Sequence, residues 1–94
     1  MDALERFEEK WAKAGYGTPR ISLWDGKCLF VNLKGHTLCY RLDKCWAKRR
    51  MSAPVSSKVL LPKELFSFAR GLSHYVYVYR KELVRLLSGE SPGT

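Results

Sequence analysis

Aromatic rings set among cations are the side chains in this sequence whose types and spacing point to chemistry. Trp46 stands between Lys44 and the triplet Lys48-Arg49-Arg50. Phe30 shares a strand face with Arg20 and Arg41 in the pairing derived below. Unpaired bases stack on aromatic rings, and cations along the rim follow the phosphates. Each phosphate neutralised by Lys or Arg releases counterions, which makes the affinity salt-sensitive. A duplex needs the positive surface but hides its base faces, so rings interleaved with cations favour a single strand. Trp46 has a second reading, as the anchor of its loop on the core, because large aromatics are mostly buried. Tyr75, Tyr77 and Tyr79 form a further series. On a strand they line one face as a stacking ladder; on a helix they diverge and become packing residues.

Other chemistries find less support. Cys28, His36, Cys39 and Cys45 could ligate zinc, but no close C-x-x-C pair is present, so no metal or other cofactor is expected. Cys28 and Cys39 read as small hydrophobes in a sheet. His36, in a turn, and His74, at a helix start, lack acid–base partners at a diagnostic spacing, and no phosphate-binding Gly-rich loop or nucleophile elbow occurs. The chain therefore reads as a binding protein rather than an enzyme. A metal-independent nuclease using His36 is one alternative, and a protein–protein adaptor with a basic face is the other.

Charge distribution says where the binding surface lies. The 94 residues carry 17 Lys and Arg against 9 Asp and Glu, a net +8. Gly15 to Lys63 alone holds ten bases and two acids. Such a local excess suits an anionic partner. An apolar share of 46% makes disorder an unsuitable description. The length excludes a two-domain enzyme. No apolar run approaches a membrane span and the acidic, amphipathic start is unlike a signal peptide, so a soluble, cytoplasmic protein is expected.

The elements that must position these residues follow from periodicity. Asp2 caps a first helix with Leu4, Phe7, Trp11 and Ala14 on one face, ended by Gly15 and Gly17. Arg20 to Leu23, Cys28 to Leu33 and Thr37 to Leu42 alternate as strands, joined by turns at Trp24-Asp25-Gly26 and Gly35-His36. Those turns place Ile21 opposite Leu29, Leu33 opposite Leu38 and Val31 opposite Tyr40. One face then carries Ile21, Leu23, Leu29, Val31, Leu33, Leu38, Tyr40 and Leu42. The other carries Arg20, Ser22, Cys28, Phe30, Asn32, Lys34, Thr37, Cys39 and Arg41. Residues 43–50 have no clean period. A fourth strand spans Pro54 to Leu61, and Pro62 opens a helix through Leu72. Leu72, Val76, Tyr79, Leu83 and Leu86 form a helical seam into a last helix, continuous to Ser88, with Tyr79 in the core. That seam also offers a homodimer contact.

The expected architecture is an α+β domain over residues 1–89 with a short tail over 90–94. It has an N-terminal helix, a four-stranded antiparallel sheet and one or two C-terminal helices on one sheet face. This element order, the central charge excess and the amide depletion (no Gln, and Asn32 alone, a hyperthermophile tendency) resemble the ThermoDBP proteins of hyperthermophilic archaea. The resemblance implies sequence-tolerant binding of single-stranded DNA in an apolar cleft with a basic rim, on a fold unrelated to the OB barrel. The opening order of helix and three strands is also similar to double-stranded RNA-binding domains. Those have a Lys-rich start to their second helix, where this chain has Pro62-Lys63-Glu64-Leu65. The residues themselves suggest phosphate contacts from Arg20, Lys27, Lys34, Arg41, Lys44, Lys48, Arg49 and Arg50. Phe30 and Trp46 are the expected stacking rings, with Tyr75 and Tyr77 as helpers. The expected partner is single-stranded DNA, with RNA as the alternative strand.

Overall fold

The structure is a computed structural model that describes residues 1–43, 47 and 48, and 63–89. The chain is α+β. Helix α1 (Ala3–Lys13) starts at a reciprocal cap: the Asp2 carboxylate accepts from the Glu5 amide at 2.8 Å, and Glu5 Oε1 accepts from the Asp2 amide at 3.1 Å. Two of the amides a helix start leaves unpaired are thereby satisfied. A third, on Ala3, donates to Glu82 Oε2 at 3.0 Å. The four-residue spacing of Ala3, Phe7 and Trp11 puts all three in the core. Ala14 is instead the exposed C-cap, one residue beyond the buried stripe.

Strands β1 (Arg20–Trp24), β2 (Cys28–Leu33) and β3 (His36–Arg41) form an antiparallel meander. The two-residue strand β4 (Ala47–Lys48) pairs with the far edge of β3. The expected strand over 54–61 lies outside the described residues, as do Pro62 and the tail over 90–94.

The strand registers differ from expectation by two residues. Ile21 faces Val31 and Leu23 faces Leu29, while Val31 faces Leu38 and Leu29 faces Tyr40. The cause lies in the turns. Asp25 (φ 58°) and Gly26 (φ 66°) are both left-handed, as are Lys34 (φ 48°) and Gly35 (φ 83°). Each pair thus occupies the two central positions of a tight turn with the twist that hairpins favour. Trp24 and His36, expected in turns, are consequently strand residues paired with Cys28 and Leu33. A two-residue shift preserves the alternation, so the division of faces stands.

Helices α2 (Lys63–Gly71), α3 (Ser73–Val78) and α4 (Arg80–Leu87) follow. The Val-Tyr alternation of 74–79 is helical, so Tyr77 turns away while the rings of Tyr75 and Tyr79, one turn apart, meet at 4.6 Å. The expected continuous helix breaks at Tyr79 (φ −99°, ψ 16°), where an aromatic and β-branched run of poor helix formers ends. Tyr79 is 36% exposed rather than in the core. Leu72 occupies the N-cap of α3, and Ser73 is buried inside the first turn.

The core lies between the helices and one sheet face. Phe7, Trp11, Leu29, Val31, Leu38, Tyr40, Val76 and Leu83 are fully buried. Phe7 meets Trp11 and Tyr40 edge-on, with ring centroids 6.0 and 5.6 Å away, and Trp11 meets Phe68 at 5.0 Å. The Tyr40 hydroxyl donates to the Ala69 carbonyl at 2.6 Å, joining β3 to α2. Val76 and Leu83 of the helical seam belong to this core, so they serve the single chain. Among the described residues no helix is long and apolar enough to cross a membrane.

Candidate nucleic-acid interface

The face turned away from the core is read in cross-strand rows. Trp24, Cys28 and Arg41 form one row; Ser22, Phe30 and Cys39 form the next, which the pairing of β4 extends to the backbone of Lys48. Arg20, Asn32 and Thr37 form the third. This face is unevenly open. Thr37 and Cys39 on β3 are buried, whereas Arg20, Ser22, Trp24 and Asn32 on β1 and β2 are exposed. The Thr37 hydroxyl donates to Asn32 Oδ1 at 2.7 Å, which ties β2 to β3 on this face.

Trp24 is 60% exposed, an unusual position for the largest side chain. Its ring stacks on Phe30 with centroids 5.9 Å apart and planes 18° from parallel. The two residues are diagonal neighbours across the β1–β2 pair, within reach for aromatic rings. The remaining aromatic contacts knit α1, β3 and the C-terminal helices together. The Trp24–Phe30 pair lies across the sheet from that cluster and presents the Trp24 ring to solvent.

Exposed cations lie along the same sheet. Arg20 is exposed on the same face; Lys27 and Lys34 are exposed at the two hairpin ends. Arg41 is bound to Asp43 through both carboxylate oxygens, Nε at 3.1 Å and Nη2 at 2.7 Å. That hydrogen bond, then the carboxylate charge, raises the Arg41 guanidinium pKa further and balances its charge locally.

Beyond the Trp24–Cys28–Arg41 row the sheet ends in a groove of about 680 Å³. Gly26 and Lys27 approach it from the β1–β2 turn, Arg41, Leu42 and Asp43 from the end of β3, and Arg80, Lys81 and Val84 from α4. The Leu42 amide donates to the Lys27 carbonyl at 3.1 Å, joining two walls. Arg80 is held in place: Nη1 donates to the Tyr77 carbonyl at 2.6 Å, and its guanidinium carbon sits 4.1 Å from the Tyr77 ring centroid.

The two tyrosines named from the sequence are therefore engaged elsewhere. Tyr77 supports Arg80. Tyr75 stacks on Phe7 at 6.1 Å and 8°, and its hydroxyl donates to the Ala3 carbonyl at 2.8 Å, so it holds α1 to α3 and is not a partner for Phe30. Partial burial, then the Tyr79 hydroxyl nearby, raises its pKa. His36 faces the helices with Leu38 and Tyr40, and its Nδ1 is buried without a hydrogen-bond partner. It is thus across the sheet from the exposed cations. No group of three metal-ligating side chains occurs among the described residues.

Lys44, Trp46, Arg49 and Arg50 lie outside the described residues, and of Lys48 only the backbone position is described. Sequence reasoning missed Trp24, Arg80 and Lys81. For Trp24 the signal is the Asp25-Gly26 pair, which suits left-handed backbone just after Trp24, so that the turn begins one residue later and β1 gains a residue on the Phe30 face. For Arg80 and Lys81 nothing in the helical pattern marks them, because their role follows from how α4 meets the end of the sheet. No family model, curated protein or solved structure matches this chain.

Proposed function

We propose that the chain binds single-stranded DNA, with little sequence preference, on the outer face of β1 and β2. Bases stack on Trp24 and Phe30, and Arg20, Lys27 and Lys34 hold phosphates. Lys44, Trp46, Lys48, Arg49 and Arg50 remain part of the proposed surface. Lys48 is well placed for it, because its backbone continues the Phe30 row. The finer architecture that goes with this reading is a four-stranded sheet closed by helices on one face and left to the nucleic acid on the other. The proposed setting is the cytoplasm.

One observation carries the proposal: a Trp ring 60% exposed and stacked on a second aromatic, on a face edged by cations. An isolated exposed Trp would be ordinary surface variation. A stacked exposed pair extends a π surface that any base can join, whatever its sequence. The face offers little for acid–base chemistry, since His36 lies across the sheet. Binding without turnover is therefore the proposed activity, in keeping with the resemblance to ThermoDBP.

A fluorescence titration of the full chain with single- and double-stranded DNA and RNA, repeated over a salt series, tests this. Single-stranded DNA is expected to quench tryptophan emission and to bind more tightly than duplex. Trp24→Ala should weaken binding while leaving the fold intact. Preference for duplex, or unchanged affinity in that variant, would sink the reading; tight binding to an acidic protein with none to DNA would install the adaptor instead. Cleavage of labelled DNA or RNA would replace binding with nuclease activity.

A further inference from the structure

The groove beside Arg41 is unexplained by the stacking platform alone. Lys27, Arg41, Arg80 and Lys81 converge on it from three separate elements, against one carboxylate, that of Asp43, among the described lining residues. That carboxylate is bound to Arg41 by two hydrogen bonds, so Lys27, Arg80 and Lys81 supply the net positive charge at the groove. Leu42 is buried and Val84 half-buried, which gives the groove an apolar floor between charged walls. Arg80 is also preorganised. Its guanidinium lies over the Tyr77 ring and one nitrogen donates to the Tyr77 carbonyl, leaving the other donors of a rigid, planar fork for a ligand. Fixing a long side chain before binding removes part of the entropy that association would otherwise cost.

The groove is continuous with the platform. Arg41 belongs to the Trp24–Cys28–Arg41 row and also lines the groove, and Lys27 follows the turn that ends β1. Trp24 and Arg41 are two strand spacings apart, roughly 10 Å. A flexible polyanion whose base rests on Trp24 can thus run off the sheet edge towards α4.

We infer that this groove carries backbone phosphates of the same single strand that stacks on Trp24 and Phe30, with Arg80 and Lys81 as its phosphate-binding residues. The inference rests on the proposed function and extends it. The strand leaves the sheet at the β1–β2 turn and continues across the start of α4, so the binding site is longer than the aromatic face.

The test compares the wild-type chain, Arg80→Ala/Lys81→Ala and Trp24→Ala against a long oligodeoxythymidylate at several salt concentrations. Loss of two phosphate contacts should flatten the slope of log affinity against log salt by about 1.4, the single-strand value for two phosphates. The advantage of wild type over the double variant should accordingly shrink about sevenfold between about 50 and 200 mM salt. Quenching at saturation should persist, because the platform is intact. Lys81→Glu alone, at an exposed position, carries the test if the double variant fails to fold, and it should weaken binding at low salt. An unchanged slope and affinity in these groove variants, with binding still lost in Trp24→Ala, would overturn the groove assignment and leave the platform standing. Failure of the wild-type chain to bind the oligonucleotide would overturn both. Inorganic phosphate, added at matched ionic strength, should not compete beyond its effect on salt. Specific displacement by phosphate would assign the groove to a free anion and overturn the strand path.

Discussion

Two aromatic residues on opposite faces of the sheet show how position decides role. Trp24 contributes modestly to the fold, through its stacked contact with Phe30. Trp24→Ala should lower unfolding free energy by about 0.5–1.5 kcal/mol, measured by urea titration. Its loss from a stacking site should cost about 1–3 kcal/mol of binding, roughly a 5- to 150-fold weaker dissociation constant. Tyr40 is the reverse case. Burial pushes its phenol well above the ordinary tyrosine range, since the anion would be desolvated. A raised pKa in the folded state means the unfolded chain releases the proton first. The stability is therefore complete below about pH 10, the unfolded value, and is lost as pH rises above it. Tyr40→Phe should flatten that alkaline decline by about 1.4 kcal/mol per pH unit. At neutral pH it should cost about 0.5–1.5 kcal/mol, the net worth of one hydrogen bond, because the Ala69 carbonyl still accepts from the Leu72 amide at 3.1 Å. Urea unfolding of both proteins at neutral and alkaline pH reads both effects.

At the scale of elements, the hairpins carry both strain and part of the proposed site. Lys34 is held at φ 48°, a conformation that costs a residue with a Cβ about 1–2 kcal/mol. Asn tolerates it better and forms the preferred pair with the following Gly35. Lys34→Asn should therefore raise the melting temperature by a few degrees while weakening DNA binding at low salt, readable by calorimetry and titration on one preparation. Much of this architecture was legible in the sequence. Alternation of polar and apolar residues separated the two sheet faces, and the Leu4-Phe7-Trp11 spacing with Asp2 ahead of it marked α1. The registers were not legible from alternation, because a two-residue shift leaves every side chain on its face. Only the turn conformations decide between such registers, and they moved Trp24 from a loop onto the face of the proposed site. The break at Tyr79 was hidden for another reason. The seam of Leu72, Val76 and Leu83 runs in step across it, and a local change of backbone angle leaves such spacing almost untouched. Arg80 and Lys81 owe their place to that break, which sets the start of α4 against the end of β3.

For the whole molecule, the net charge of +8 acts on folding and binding with opposite sign. Self-repulsion disfavours the compact state, so moderate salt should raise the melting temperature of the protein alone. With single-stranded DNA present the same salt should lower it, because it removes the stabilisation that binding contributes. That stabilisation is about 2.7 kcal/mol when free DNA is a hundredfold above its dissociation constant. In a domain of this size it amounts to roughly 10–20 °C. Differential scanning fluorimetry with and without oligonucleotide, at low and high salt, should show the two trends cross. The start of α1 adds a constraint in time. The Ala3 amide donates to Glu82, a partner 79 residues further along the chain, and the Ala3 carbonyl accepts from the Tyr75 hydroxyl. A ribosome delivers the chain from its N-terminus at about 5–20 residues per second. The first helix must therefore wait roughly 4–16 seconds for the residue that completes its cap. During that interval the apolar stripe of Phe7 and Trp11 has no finished core to enter, and a chain halted between the sheet and α4 would present that stripe to whatever quality-control factor meets it.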